Sequence, residues 1–194
     1  MLEIADIIGI IAFAVSGFIV GARERLDLLG ISISAFLTAL GGGVLRDVIA
    51  NKEIYSFTNI LPGIIVLMVI IAGVYLKFHK YDFESRSVFI ISDSIGLVSF
   101  SISGAIVGIE NGFNIFGVIM LAIITAVGGG MIRDVLINKI PFVLKENFYA
   151  SVSILVAFLV FFFGKNELNL LFIFMFGIIL RLIAYKKSWN LPKI

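Results

Sequence analysis

Hydrophobic positions fall into long runs separated by short polar joints. Seven runs reach the roughly 17–25 residues that a membrane-crossing helix needs: Ile4–Ala22, Leu29–Ala50, Ile60–Lys77, Val88–Ile109, Ile115–Ile137, Phe148–Gly164 and Leu168–Tyr185. The joints RERLD, NKEIYSFTN, FHKYDFESRS, ENGFN, NKIPFVLKEN and KNE read as loops, none of them a domain linker. The pattern predicts an all-α integral membrane protein with seven transmembrane helices in a single domain, 1–194.

The apolar pattern repeats. Offset by 87 residues, Asp6–Lys52 aligns without a gap onto Asp93–Lys139, with 21 identities in 47 positions. TALGGGVLRDV (Thr38–Val48) returns as TAVGGGMIRDV (Thr125–Val135), and Gly9/Gly96, Phe13/Phe100, Ser16/Ser103 and Asn51/Asn138 also match. The third run of each half matches its partner much less. Each unit holds three runs, an odd number, so the second copy is expected to enter the membrane from the opposite face. Such inverted repeats (here about 4–77 and 88–164, with an extra helix at 168–185) belong to transport proteins whose sites lie near the midplane.

Composition sharpens this picture. Sixty per cent of the 194 residues are hydrophobic and 14% are charged, with a mean hydropathy of +1.14. A soluble domain carries about 25% charged residues. There is no cysteine, which excludes disulfides and thiolate chemistry. The single histidine, His79, sits in a charged joint and reads as solvated. A net charge of +2 gives no reason to expect nucleic acid as a partner. The start MLEIAD lacks a basic region, so the first run is expected to be a retained span.

Basic residues set the orientation. Counted by side, Lys52 and Lys165 face Arg23, Arg25, Lys77, Lys80, Arg86, Lys139, Lys145, Arg181, Lys186, Lys187 and Lys193, eleven against two. This predicts an outside N-terminus and a cytoplasmic C-terminus.

The candidate chemistry lies in the repeated motif. A glycine costs roughly 1 kcal/mol relative to alanine in a helix interior, and here three occur together twice. Gly41, Gly42, Gly43 and Gly128, Gly129, Gly130 lie roughly 12–15 Å deep at 1.5 Å rise per residue. The favoured reading is a kink or unwound turn whose freed carbonyls, near Gly41 and Gly128, face a wet path and suit a desolvated monovalent cation. The other is close helix packing, which is the reading favoured for GFIVG (Gly17–Gly21) and GAIVG (Gly104–Gly108). Arg46-Asp47 and Arg133-Asp134 follow one turn later. Snorkelling arginine is one reading, but the matching Asp favours a site facing protein or water. Neighbours in a helix point about 100° apart, so the members of each pair need not bond each other. Asp6 and Asp93 read as further vestibule charges. Ser16, Ser103, Thr38 and Thr125 supply hydroxyls, either lining a path or bonding the carbonyl one turn back. Catalysis is disfavoured: SISG (Ser101–Gly104) has no intramembrane histidine beside it, and the triple glycine lacks a P-loop lysine.

Two copies of GGGxxRD in a duplicated three-span unit, followed by a seventh helix, resemble the prokaryotic branch of the trimeric intracellular cation (TRIC) channel family, and the likeness covers nearly the whole chain. The resemblance implies a homotrimer in the bacterial plasma membrane with one hydrophilic pore per subunit. It also implies kinks at Gly41–Gly43 and Gly128–Gly130, and passage of K⁺ with some Na⁺. No cofactor is implied; the partners are the permeant ions, lipid and the chain itself. The same domain family also carries the label of a glycine transporter. A secondary transporter of a small amino acid is therefore the alternative, with a substrate carboxylate beside Arg46 or Arg133.

Overall fold

The computed structural model describes residues 2–76, 82–145 and 148–189, without the side chains of 82–86 and 145. His79, Lys77, Lys80 and Lys193 lie outside the described residues. Among the described residues nine helices follow in order: α1 (Leu2–Arg23), α2 (Leu28–Ile49), α3 (Tyr55–Thr58), α4 (Leu61–Tyr75), α5 (Asp82–Glu110), α6 (Ile115–Leu136), α7 (Phe142–Lys145), α8 (Tyr149–Phe163) and α9 (Glu167–Lys186). No strand occurs among the described residues.

Among the described residues five helices, α1, α2, α5, α6 and α9, are long and apolar enough to cross a membrane. The runs expected at Ile60–Lys77 and Phe148–Gly164 form shorter apolar helices of 15 residues each, α4 and α8. At 1.5 Å per residue these are about 22 Å long, short of a hydrocarbon core of about 30 Å. A four-residue helix precedes each of them, α3 before α4 and α7 before α8. The α5 helix starts at Asp82, not Val88, because polar residues can extend a helix beyond its apolar stretch.

Helix ends follow local chemistry. Asp27 accepts the Gly30 N–H at the start of α2, and Asn114 accepts the Gly117 N–H at the start of α6, as capping residues do. Both helices end in a left-handed asparagine, Asn51 (φ 50°) and Asn138 (φ 57°). The next amides, of Lys52 and Lys139, donate to the carbonyls of Asp47 (2.9 Å) and Asp134 (2.8 Å). Asparagine tolerates this conformation better than most residues. That accounts for its matched place in the repeat.

Packing is reciprocal. α1 lies on α5, α2 on α6, α1 on α2 and α5 on α6, while α9 packs on α5 and α8. α5 is central, with 89% of its apolar window buried against 28% in α2 and α9. The glycines of the GxxxG stretches face backbone: a Cβ on Gly17 would meet the Ala35 Cα at 2.8 Å, and one on Gly104 the Ala122 Cα at 2.7 Å. These stretches therefore serve close helix approach. The outer faces of α2, α6 and α9 present Leu29, Phe116 and Phe172, the surface expected of a protein whose solvent is lipid.

Candidate functional site: two buried charge clusters

Both glycine triplets lie inside continuous helices; neither α2 nor α6 is interrupted at 41–43 or 128–130. The expected unwound turn is absent. The reason is that the middle glycines carry the α2–α6 contact. A Cβ on Gly42 would stand 2.0 Å from the Thr125 carbonyl oxygen, and one on Gly129 2.4 Å from that of Thr38. Gly41 sits against the Gly129 Cα, and Gly128 against the Leu45 side chain. Only glycine lets the backbones come this close. The third glycine differs in each case: Gly43 faces open space, and Gly130 has only Arg133 nearby. Each opens onto a small cavity flanked by charge.

The first cavity, of about 20 Å³, is lined by Asp6, Gly43, Arg46, Asp47, Tyr55 and Phe100, among others. Arg46, only 4% exposed, bonds Asp6 Oδ1 at 2.7 Å and Asp47 Oδ1 at 2.8 Å, and also donates to Ser103. Ser103 donates to Asp6 at 2.6 Å. The other oxygen of Asp47 accepts the Tyr55 amide at 3.1 Å, which tethers α3 over the cavity. Tyr55 lies outside the long helices. Burial, then the Glu3 and Asp6 carboxylates, hold its phenol above its ordinary pKa.

The second cavity, about 10 Å³, is built from the corresponding residues: Asp93, Gly130, Arg133, Asp134, Phe142 and Phe13. Arg133 Nε bonds Asp134 Oδ1 at 2.9 Å, and its NH1 reaches the Thr38 hydroxyl at 3.3 Å. Asp134 Oδ2 accepts the Phe142 amide at 2.8 Å and so tethers α7. Asp93 is held differently from Asp6. It accepts from Ser16 at 3.4 Å and from the Tyr149 hydroxyl, with Arg133 and Arg181 in electrostatic reach. Arg181, 1% exposed, lies with its guanidinium 4.7 Å from the Tyr149 ring centre. A wider cavity of about 190 Å³ runs from Arg133 and Asp134 out to Glu24 and Lys139.

Several expectations change here. Arg46 and Arg133 do not snorkel, and each does bond its neighbouring aspartate, because a long arginine side chain can curl back across the 100° step. Ser16 and Ser103 each cross to the aspartate of the other half. Thr38 and Thr125 bond the carbonyls of Ser34 and Leu121 one turn back, both at 2.6 Å. Asp93 sits well inside α5. Arg181 is buried within α9, not in a basic loop, which lowers the charge count from eleven to ten.

The site roles of six residues escaped the sequence reading. The amides of Tyr55 and Phe142 stand eight residues after their aspartates, and that doubled spacing was a usable signal. Phe13 and Phe100 stood among the repeat identities. Tyr149 and Arg181 lie outside the matched segment and left no trace in the repeat.

A family described as Glycine transporter matches residues 3–80 and 90–165. The UPF0126 membrane protein YvgT of Bacillus subtilis is 34% identical, over 98% of this chain and 95% of its own length. The UPF0126 inner membrane protein YadS of Escherichia coli is 29% identical, over 77% of this chain and 72% of its own. Among solved structures, one described as the structural basis for conductance through TRIC cation channels is 32% identical, with a TM-score of 0.85 over 99% of this chain and 96% of that one. A prokaryotic TRIC channel crystallised in 0.5 M KCl is 30% identical, with a TM-score of 0.90 over 98% of each chain. With these matches over nearly its full length, the chain is a multi-pass membrane protein that belongs to the family described as Glycine transporter, whose solved relatives are TRIC cation channels.

Proposed function

We propose that the protein is a monovalent-cation channel, permeable to K⁺ and Na⁺, with a path inside each subunit of a homotrimer. It acts by conduction and has no catalytic step. The observation that carries this reading is the doubled site: two buried, corresponding charge clusters, one beside each end of the α2–α6 glycine contact. Two carboxylates and several hydroxyls in a cavity can stand in for part of a cation's water. Each cavity holds about one water in the present conformation, since a water needs roughly 10–15 Å³. Conduction therefore requires widening, and the tethered helices α3 and α7 are the elements to move.

The reciprocal contacts favour two three-helix units, 4–77 and 88–164, in a single domain, inverted about an axis in the membrane plane. The short helices α4 and α8 then complete seven crossings by tilting or by local thinning of the bilayer. In this arrangement the Arg46 cluster faces outward and the Arg133 cluster faces a cytoplasm on the side of the basic loops. The N-terminus lies outside and the membrane is the bacterial inner membrane, as described for YadS. Asp6, Asp47, Asp93 and Asp134 attract cations, while Arg46 and Arg133 hold the cavity walls.

A planar-bilayer recording of the purified protein under a KCl gradient tests this. Unitary currents reversing near the K⁺ equilibrium potential are expected. The family's description supports a second reading, a carrier of glycine. A silent bilayer with inserted protein, together with glycine uptake into vesicles, would establish the carrier in its place.

A further inference from the structure

Between the two charge clusters stands an aromatic pair with no polar partner. Phe100 of α5 lines the first cavity, and Phe13 of α1 lines the second. Their ring centres are 5.3 Å apart, and each residue is 2% exposed. The two correspond in the repeat and, like Ser16 and Ser103, each serves the cavity anchored by the other half's aspartate. Room for the rings is built by another matched pair. A Cβ on Gly96 would meet the Phe13 ring at 2.2 Å, and one on Gly9 would meet the Phe100 ring at 3.1 Å. Two glycines are thus given up, at corresponding places, to seat two phenylalanines where the cavities approach each other.

We infer that Phe13 and Phe100 form the hydrophobic gate of the conduction path, a dry partition that must part before an ion passes from one charge cluster to the other. This rests on the channel reading above. An apolar constriction blocks ions by excluding the water they need, and the two rings, tilted 41° to each other, are in contact while each lines one of the two cavities. Opening then requires, besides the movement of α3 and α7, that the rings separate, and no hydrogen bond holds a phenylalanine side chain. The energetic barrier at this point of the path lies in hydration of the partition.

The test compares a polar with an apolar replacement in the same bilayer. Phe100→Asn is expected to raise open probability roughly tenfold or more, by wetting the partition; Phe100→Leu, which keeps it dry, should raise it far less. Packing loss alone would affect both alike, so equal effects of Asn and Leu, or none, overturn the gate. The chain contains no cysteine, which allows a second measurement if Phe100→Asn fails to assemble. In the closed protein, Ag⁺, a thiol-binding cation small enough for a cavity that holds one water, should reach Phe100→Cys only from the side of Arg46 and Phe13→Cys only from the side of Arg133. Labelling of both from one side overturns the partition. Failure of the channel reading is distinct: wild type and every variant would then be electrically silent while inserted.

Discussion

The first charge cluster sets one arginine against two aspartates; the second sets two arginines against two. In the first, Arg46 bonds both Asp6 and Asp47 directly. In the second, Arg133 bonds Asp134, while Asp93 is held by Ser16 and Tyr149 with Arg181 behind the tyrosine ring. The formal charge is therefore −1 in one cluster and zero in the other, although the motif that builds them is the same. The difference comes from α9, the helix outside the repeat. A duplicated unit supplies two matching sites, and one unduplicated helix makes them unequal.

The most damaging way to break the comparison acts on both halves at once. Gly42→Leu and Gly129→Leu drive a side chain into backbone oxygen at 2.0 and 2.4 Å. The expected destabilisation exceeds the about 1–3 kcal/mol of ordinary overpacking, so thermal unfolding in detergent should show loss of the folded subunit. Gly43→Ala, facing open space, should leave the midpoint nearly unchanged. If all three variants melt alike, the α2–α6 contact does not depend on the middle glycines.

Next come the arginines. Arg46→Met strands two buried carboxylates and should cost about 3–5 kcal/mol, the range for breaking a buried pair. Asp6→Asn added to it should recover part of that loss, measured by the same melts. An unrecovered double variant would show that Arg46 contributes packing and not charge balance.

The asymmetry itself is sharpened by Arg181→Gln. Removing this charge brings the second cluster to −1, like the first. The reversal potential under a KCl gradient should move toward the K⁺ equilibrium value, and Asp93→Asn in the same chain should return it. Asp47→Asn should move it the opposite way. Reversal potentials identical to wild type in all of these would mean that neither cluster faces the permeant ion.

The smallest effects belong to the rims. Lys52 and Lys165 pair with Glu110 at 3.3 Å, and Lys139 pairs with Glu24. These groups are partly exposed at the surface, so Lys52→Ala or Lys139→Ala should change stability by less than about 1 kcal/mol. A shift in melting point that survives high salt would contradict that assignment.

The long apolar runs, the duplication and the motif residues were all legible in one dimension. Asp6, Arg46, Asp47, Asp93, Arg133 and Asp134 were legible as a set because buried charge stands out against lipid-soluble sequence and recurs at a fixed offset. The role of Gly42 was not. A triple glycine in an apolar span reads as a break, and only the position of the Thr125 carbonyl shows it to be a contact. Tyr149 and Arg181 were also hidden, since nothing in their local sequence says which helix they meet.

By itself, then, the sequence determined the solvent, the helical class and the twofold supply of Gly, Arg and Asp. All of these follow from local composition and period. Tertiary structure alone decided that the middle glycines pack while the third ones open, that each serine crosses to the other half's aspartate, and that α9 neutralises one site. These depend on which backbone lies within a few ångströms of which side chain. That distance is set by the packing of helices far apart in the chain.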